Sequence, residues 1–132
     1  EVTESLAIND MSRMIEILTR IKALGCTIAL DDFGTGYSSL NHIREIPFDI
    51  IKVDQSFVRD LDTDAYAQSF VRMVAELAET IGVRICVEGI ENKAQLEKLN
   101  GMKIKYIQGY YYDKPLKKDE FEEKYVIGDQ SK

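Results

Sequence analysis

Acidic and polar residues stand at the ends of four short apolar segments that resemble buried β-strands. In chain order they are Asp31 and Asp32, Lys52 and Asp54, Glu88 and Glu91, and Gln108. Converging carboxylates repel one another unless cations lie between them, and carboxylate oxygens are the ligands that hard divalent cations prefer. The pattern therefore predicts a metal site, in which the adjacent Asp31 and Asp32 suit one bridging ligand and one ligand of a single ion.

Lys52 adds a positive charge to this set, and such a charge orients a water molecule or a phosphate oxygen. Two metal ions and a lysine would suit hydrolysis of a phosphodiester. The alternative is structural, because acidic residues after strands often cap the next helix or turn. Asp54 and Gln108 fit that alternative best, as a turn cap and as a loop hydrogen-bonding residue.

The elements that would position these residues follow from hydrophobic periodicity. Helices are predicted from Asn9 or Asp10 to Gly25, over 39–46, over 70–81 before Gly82, from the Asn92–Gln95 capping box to Leu99, and around Phe121 and Tyr125. Strands are predicted over 26–30, 49–53, 83–87 and 104–107. Strands that alternate with helices of this length form parallel βαβ units, in an open sheet or in a barrel. The strand ends would then meet at one edge, as in barrel active sites.

Composition narrows the function classes. The 132 residues carry a net charge of −6, which argues against DNA or RNA binding through phosphate neutralisation. No apolar stretch reaches the roughly 20 residues that span a bilayer. Cys26 and Cys86 lie in apolar runs, and we expect buried free thiols in the reducing cytoplasm. Glu1 is not an initiator residue, so we expect the chain to be a piece of a longer protein.

Five motifs together resemble the EAL-domain phosphodiesterase family, in the family's order. They are Glu1-Val2-Thr3-Glu4-Ser5, the DDFGTGYSSL segment at 31–40, Ile51-Lys52-Val53-Asp54, Val87-Glu88-Gly89-Ile90-Glu91, and Gln108-Gly109-Tyr110 followed by Lys114-Pro115. The resemblance implies an α/β fold, a partial (β/α) TIM-type barrel that is the C-terminal half of an EAL barrel. We expect this half-domain to comprise residues 1–126 and residues 127–132 to be a disordered tail.

The resemblance also implies the reaction and the roles of the residues. The reaction is hydrolysis of cyclic di-GMP to linear pGpG with Mg²⁺ or Mn²⁺. The implied metal ligands are Glu1, Asp31, Asp32 and Glu88, with Asp31 bridging, and the catalytic residues are Lys52, Glu88 and Asp32. Lys52 would hold the nucleophilic water, and Glu88 would be a ligand or the general base.

Further roles follow from the same resemblance. Gln108 would form the floor of the site, Glu91 would support it, and Glu4 would anchor the loop after Asp32. That loop contains Phe33, Gly34, Thr35, Gly36, Tyr37, Ser38 and Ser39, and in this family it forms the dimer interface with the helix that follows.

The Glu-Ala-Leu tripeptide and an asparagine ligand of the family belong to the first half of the domain and are absent here. We therefore expect the isolated chain to be inactive and to form homodimers or larger species. The alternatives are a non-catalytic EAL module, which binds cyclic di-GMP or a partner protein, and an unrelated α/β metal-binding barrel piece.

Overall fold

The computed structural model describes residues 1–3, 10–35 and 43–127. The strands in these residues are β1 (Val2–Thr3), β2 (Ala29–Phe33), β3 (Ile50–Val53), β4 (Arg84–Val87) and β5 (Tyr106–Ile107). The α-helices are α1 (Met11–Ala23), α2 (Ala65–Ile81), α3 (Lys93–Lys98) and α4 (Lys118–Phe121), which continues into a π-helical turn, Glu122–Ile127. A short 3₁₀ helix, Gln55–Phe57, follows β3. No helix among these residues has the length and apolar character needed to cross a bilayer.

The strands form one parallel sheet in the order of the chain, β1-β2-β3-β4-β5. Leu30 pairs with Ile51, and Ile51 pairs with Ile85; β3 and β4 keep one register throughout, whereas the register of β2 against β3 shifts between Leu30 and Phe33. The predicted parallel βαβ arrangement is confirmed. Since all strands run the same way, their carboxyl ends meet at one edge of the sheet.

One face of the sheet is covered by α2. This helix begins at the Asp64 cap, whose carboxylate accepts a hydrogen bond from Tyr66 N, and ends at Gly82, which has φ 76°. Its buried side chains share one core with those of the central strands; the core includes Leu30, Ile51, Val53, Val71, Val74, Ala78, Ile85 and Val87. The apolar stripe predicted for 70–81 is confirmed, although the helix begins earlier.

The other face carries different chemistry because side chains alternate across a strand. Ile51 and Val53 point into the core, so Lys52 between them points to the opposite face. Cys86 is the register partner of Lys52 and lies on the same face. The fold therefore separates a packed apolar face from a face that can carry polar groups.

Strand boundaries differ from the prediction in two places. β2 begins at Ala29 instead of residue 26; just before it, Ile28 N donates to the Asp49 carboxylate (2.8 Å) and not to a backbone carbonyl of a neighbouring strand. Cys26 is consequently exposed, so its predicted burial is wrong, whereas Cys86 is buried; both are free thiols. β5 contains only Tyr106–Ile107, since Ile104 N donates to Met102 O in a turn.

Other predicted elements have mixed outcomes. Asp10 is the N-cap of α1, and Asn92 with Gln95 forms the predicted capping box of α3. β1 was not predicted because two residues show no periodicity. Residues 39–42 of the helix predicted over 39–46 lie outside the described residues, as do residues 128–132 of the predicted tail.

Candidate active site

Three carboxylates from different parts of the sheet surround the ammonium of Lys52. Lys52 Nζ lies 2.7 Å from Glu1 Oε1, 3.2 Å from Asp31 Oδ1 and 2.7 Å from Glu88 Oε1. Glu1 precedes β1, Asp31 belongs to β2, Lys52 to β3, and Glu88 follows β4. The predicted convergence of strand ends is thus present in the structure.

Lys52 stays charged in this environment. Its burial alone would lower the pKa of Lys52, but hydrogen bonds to Glu1, Glu88 and Asp31 outweigh the burial and raise the pKa above the ordinary value. The ammonium therefore acts as the counter-ion of a group of acids.

Asp32 is held in an unusual backbone conformation beside this group. It has φ 55°, which is rare for a residue other than glycine, at a register shift between β2 and β3. Its amide donates to Asp31 Oδ1 (3.0 Å). Partial burial, followed by the negative charges of Asp31 and Asp54, raises the pKa of Asp32, so the local potential favours a cation.

A cavity of about 350 Å³ opens next to Asp32. It is lined by acidic residues from three successive strand ends, together with polar and aromatic groups; these include Asp32, Asp54, Glu88, Glu91, Gln108 and Tyr110. Asp54 also caps the 3₁₀ helix, because its Oδ1 accepts from Ser56 N (2.9 Å). The capping alternative is thus confirmed for Asp54, which borders the cavity as well.

A second cavity, of about 390 Å³, lies on the face of the sheet that carries Lys52. Glu1, Lys52, Cys86 and Gln108 are among the residues that line it. Gln108 borders both cavities and is exposed. Burial, and then the charge of Glu88, raises the pKa of Cys86 to about 11, so this thiol stays protonated and is a poor metal ligand.

The loop after β4 carries Glu88 and Glu91 and is tightly packed. Gly89 has φ 77°, and a Cβ atom there would lie 2.6 Å from Gln55 Cβ. Ile90 is fully buried, and its amide donates to Gln108 O (3.2 Å). These contacts fix the backbone between the two acids.

The segment after Asp32 begins on an aromatic pair. Phe33 is buried, and a Cβ atom at Gly34 would approach Phe70 Cζ to 2.5 Å. Phe70 stacks on Phe57 with ring centroids 4.0 Å apart. Thr35 Oγ1 donates to Asp32 O (2.8 Å), which links the loop to the candidate ligand. The remaining predicted residues of this group, Glu4, Gly36, Tyr37, Ser38 and Ser39, lie outside the described residues.

The acids have the right donor atoms for a divalent cation, but they are not arranged as a complete metal site. In residues 1–3, 10–35 and 43–127, no three Asp, Glu, His or Cys side chains form a group that could hold a metal ion. Lys52 Nζ stands between Glu1, Asp31 and Glu88 and pairs with all three. The available donors are nonetheless carboxylate oxygens, which Mg²⁺ and Mn²⁺ prefer.

A comparison with known protein families identifies the family of this chain. The family model of the EAL domain matches residues 1–115. The chain belongs to the EAL domain family. Its sheet is therefore a parallel α/β portion of the TIM-type EAL barrel, which confirms the predicted fold class.

Relatives and solved structures of the EAL family support this assignment. The chain is 36% identical over 121 residues to the cyclic di-GMP phosphodiesterase RocR of Pseudomonas aeruginosa, covering 92% of this chain and 31% of RocR. It matches the PaMucR phosphodiesterase in complex with cyclic di-GMP at 34% identity and TM-score 0.85, covering 91% of this chain and 49% of that one.

A third EAL match was solved with a metal. It is BlrP1 of Klebsiella pneumoniae, in a complex with manganese and cyclic di-GMP, at 32% identity and TM-score 0.76. The match covers 83% of this chain and 28% of BlrP1. The chain thus spans about half or less of the length of these EAL proteins.

One residue that contacts the loop after β4 was identified from the sequence only as part of a helix cap. Gln95 is buried, and its amide nitrogen donates to the carbonyls of Val58 and Arg59. The capping box is a visible signal, but it does not predict contacts 36 and 37 residues away along the chain.

Proposed function

We propose that the chain supplies part of the active site of a metal-dependent cyclic-di-GMP phosphodiesterase that produces linear pGpG. The observation that carries the proposal is the group of Glu1, Asp31 and Glu88 around Lys52, next to the cavity bordered by Asp32. RocR and PaMucR, which are named as phosphodiesterases, support the reaction class.

In this proposal Mg²⁺ or Mn²⁺ is held by the carboxylates of the site. Glu1 and Asp31 would hold one ion, and Asp31 with Asp32 would hold the other; Glu88 would serve the second ion. Bound divalent ions polarise a phosphodiester and activate water at neutral pH. BlrP1, whose complex contains manganese, supports the metal class.

Lys52 and Glu88 have distinct roles in the proposed reaction. Cations among the carboxylates would compete with the ammonium for them, which leaves N–H groups of Lys52 to orient a water or a phosphate oxygen. Glu88 contacts Lys52 and also borders the cavity, so it is placed to be a ligand or a general base. Gln108 and Glu91 border the same space and would contact the substrate or the groups that hold it.

The isolated chain of 132 residues should have little activity by itself. A cavity of about 350 Å³ is at the small end of the ~300–1,000 Å³ range of ligand pockets, and a cyclic dinucleotide is a large ligand. A hard cation held mostly by water binds weakly, and small displacements of a scissile group cost large rate factors. We propose that residues 1–126 form the EAL portion, that it self-associates, and that it acts in the cytoplasm.

A second candidate is a non-catalytic EAL module that binds cyclic di-GMP or a partner protein. The interposition of Lys52 between the acids, with no finished metal group in the described residues, favours this candidate. It predicts nucleotide binding without turnover.

The deciding experiment uses the complete EAL domain that contains this sequence. The domain is incubated with cyclic di-GMP in three separate reactions, containing Mn²⁺, Mg²⁺ or EDTA, and the pGpG formed is measured by chromatography. Metal-dependent formation of pGpG is expected. Tight binding of cyclic di-GMP with no pGpG under any metal condition would establish the non-catalytic module instead.

A further inference from the structure

Gln95 is a buried glutamine whose side chain uses its full hydrogen-bonding capacity. Only 3% of its surface is exposed. Its Oε1 accepts from Glu91 N (2.8 Å) and Asn92 N (3.2 Å), and its Nε2 donates to Val58 O (3.2 Å) and Arg59 O (2.9 Å). Two acceptor and two donor bonds leave none of the amide's usual positions unused.

These bonds join two loops at the carboxyl edge of the sheet. Glu91 and Asn92 belong to the loop after β4, whereas Val58 and Arg59 belong to the turn after β3. The loop after β4 is also held near its start, where Gly89 packs against Gln55. It is therefore attached to the preceding loop at two points, on either side of Ile90.

The loop after β5 holds the loop after β4 from the other side. Ile90 N donates to Gln108 O (3.2 Å), and Tyr111 N donates to Ile90 O (2.9 Å). A Cβ atom at Gly109 would lie 2.0 Å from Ile90 O, so the two backbones are in close contact. Glu88 and Glu91 thus project from a segment clamped between its two neighbours.

Helix capping alone does not account for this arrangement. A capping box requires only the reciprocal bonds of Asn92 and Gln95, and both are present. The two Nε2 bonds to Val58 and Arg59 add nothing to the helix end, because they connect the side chain to a different loop. We infer that Gln95 is a positioning residue that holds Glu88 and Glu91 in place at the candidate active site.

The catalytic consequence of this inference rests on the proposed function, but its geometric part does not. Gln95→Met keeps the length of the side chain and removes all four bonds. Gln95→Glu keeps two acceptor oxygens for Glu91 N and Asn92 N but removes both donors to the preceding loop. Gln68→Met is the matched control, because Gln68 Nε2 donates to Leu61 O (3.0 Å) in the region after β3 and, within the described residues, makes no hydrogen bond to the loop after β4.

Amide hydrogen exchange in the 132-residue chain tests the geometry without any activity. The amides of Glu91 and Asn92 should exchange at least about tenfold faster in Gln95→Met, while Gln68→Met leaves them protected. In the unmodified chain, the Nε2 protons of Gln95 should be protected and coupled to the carbonyls of Val58 and Arg59. Rapid exchange of those protons in the unmodified chain would overturn the inference even if both Gln95 variants fail to fold.

Kinetics of the complete EAL domain test the catalytic consequence. Both Gln95→Met and Gln95→Glu should lower kcat at least about tenfold with a smaller change in KM, because misplaced groups reduce the rate. Gln68→Met should lower Tm and leave kcat unchanged. Full kcat in Gln95→Glu would reduce Gln95 to a helix cap and overturn the positioning role. If the unmodified domain does not hydrolyse cyclic di-GMP, the proposed function fails and the exchange measurement alone decides the inference.

Discussion

The ammonium of Lys52 lies 2.7 Å from a carboxylate oxygen of Glu88, at the carboxyl edge of two neighbouring parallel strands. The same ammonium pairs with acids that come from the other side of β3. One cation on β3 therefore pairs with acids contributed by three other parts of the sheet. Replacing any one of these charged residues therefore changes the net charge around the others.

Lys52→Ala in the complete EAL domain should reduce turnover far more than metal binding. The substitution removes the group that would orient water or phosphate, but it leaves the carboxylates that would bind the ions. We expect kcat to fall at least about 100-fold, with Mn²⁺ affinity unchanged or higher by calorimetry. A proportional loss of both would assign Lys52 to metal binding instead. Lys98→Ala, on the exposed end of α3, is the control.

Asp31→Asn in the complete domain should abolish hydrolysis. A neutral amide cannot replace a carboxylate that bridges two divalent ions. The rate of pGpG formation is measured at saturating Mg²⁺. Asp60→Asn is the matched control, because Asp60 is exposed and has no contact with Lys52. Equal rates for Asp31→Asn and the unmodified domain would show that Asp31 does not bridge.

Gly89→Ala should destabilise the chain more than Gly82→Ala. The two glycines have nearly equal φ values, 77° and 76°, so alanine suffers the same backbone strain of about 1 kcal/mol at both. Only at Gly89 would the added Cβ atom meet a neighbour, Gln55 Cβ at 2.6 Å; at Gly82 nothing lies within 4 Å. Overpacking should add a further ~1–3 kcal/mol at Gly89.

The free energy of unfolding from urea titration measures this difference between the two glycine variants. In the complete domain, Gly89→Ala should also lower kcat, because Glu88 is its neighbour in the chain. Equal destabilisation at both positions would mean that the loop after β4 moves aside without cost.

Asp49 should stabilise the chain in a pH-dependent manner, away from the candidate site. The hydrogen bond from Lys22 (2.8 Å) and then the bond from Ile28 N (2.8 Å) lower the pKa of Asp49 below its ordinary value. A carboxyl whose pKa is lowered by folding contributes stability above its unfolded pKa of about 3.9, and this contribution is lost as the pH falls through the folded pKa. Asp49→Asn should therefore cost about 1 kcal/mol at pH 7 and progressively less below about pH 4.

Urea unfolding at a series of pH values between neutrality and strong acid measures the stability of both chains. Lys22→Met should cost less than Asp49→Asn, since it leaves the bond to Ile28 N intact. A gap between the unmodified chain and Asp49→Asn that does not change with pH would contradict the assignment.

The 132-residue chain alone should produce little pGpG with Mn²⁺ present and should self-associate. The face that carries Lys52 and Cys86 is open to solvent through a cavity of about 390 Å³, and exposed aromatic side chains such as Tyr112 and Phe121 lie nearby in the fold. Light scattering should give a mass above that of one chain. A monomer with the turnover of a complete EAL domain would contradict both parts of this prediction.

The sequence alone predicted the edge of the sheet at which the acids meet. That prediction was possible because parallel strands bring consecutive strand ends together whatever their exact length, so an error of three residues at the start of β2 did not matter. The positive φ of Asp32 and the register shift beside it were not predictable, since no glycine or asparagine marks the position. Gln95 was recognisable as a cap, but its bonds to Val58 and Arg59 depend on how two loops pack.

At one edge of the described sheet, β5 contains only two residues, Tyr106 and Ile107. A short strand exposes few unpaired N–H and C=O groups, so it is a poor template for adding a strand from another molecule. At this edge, copies of the chain should therefore associate through their side chains and resist growth into cross-β aggregates.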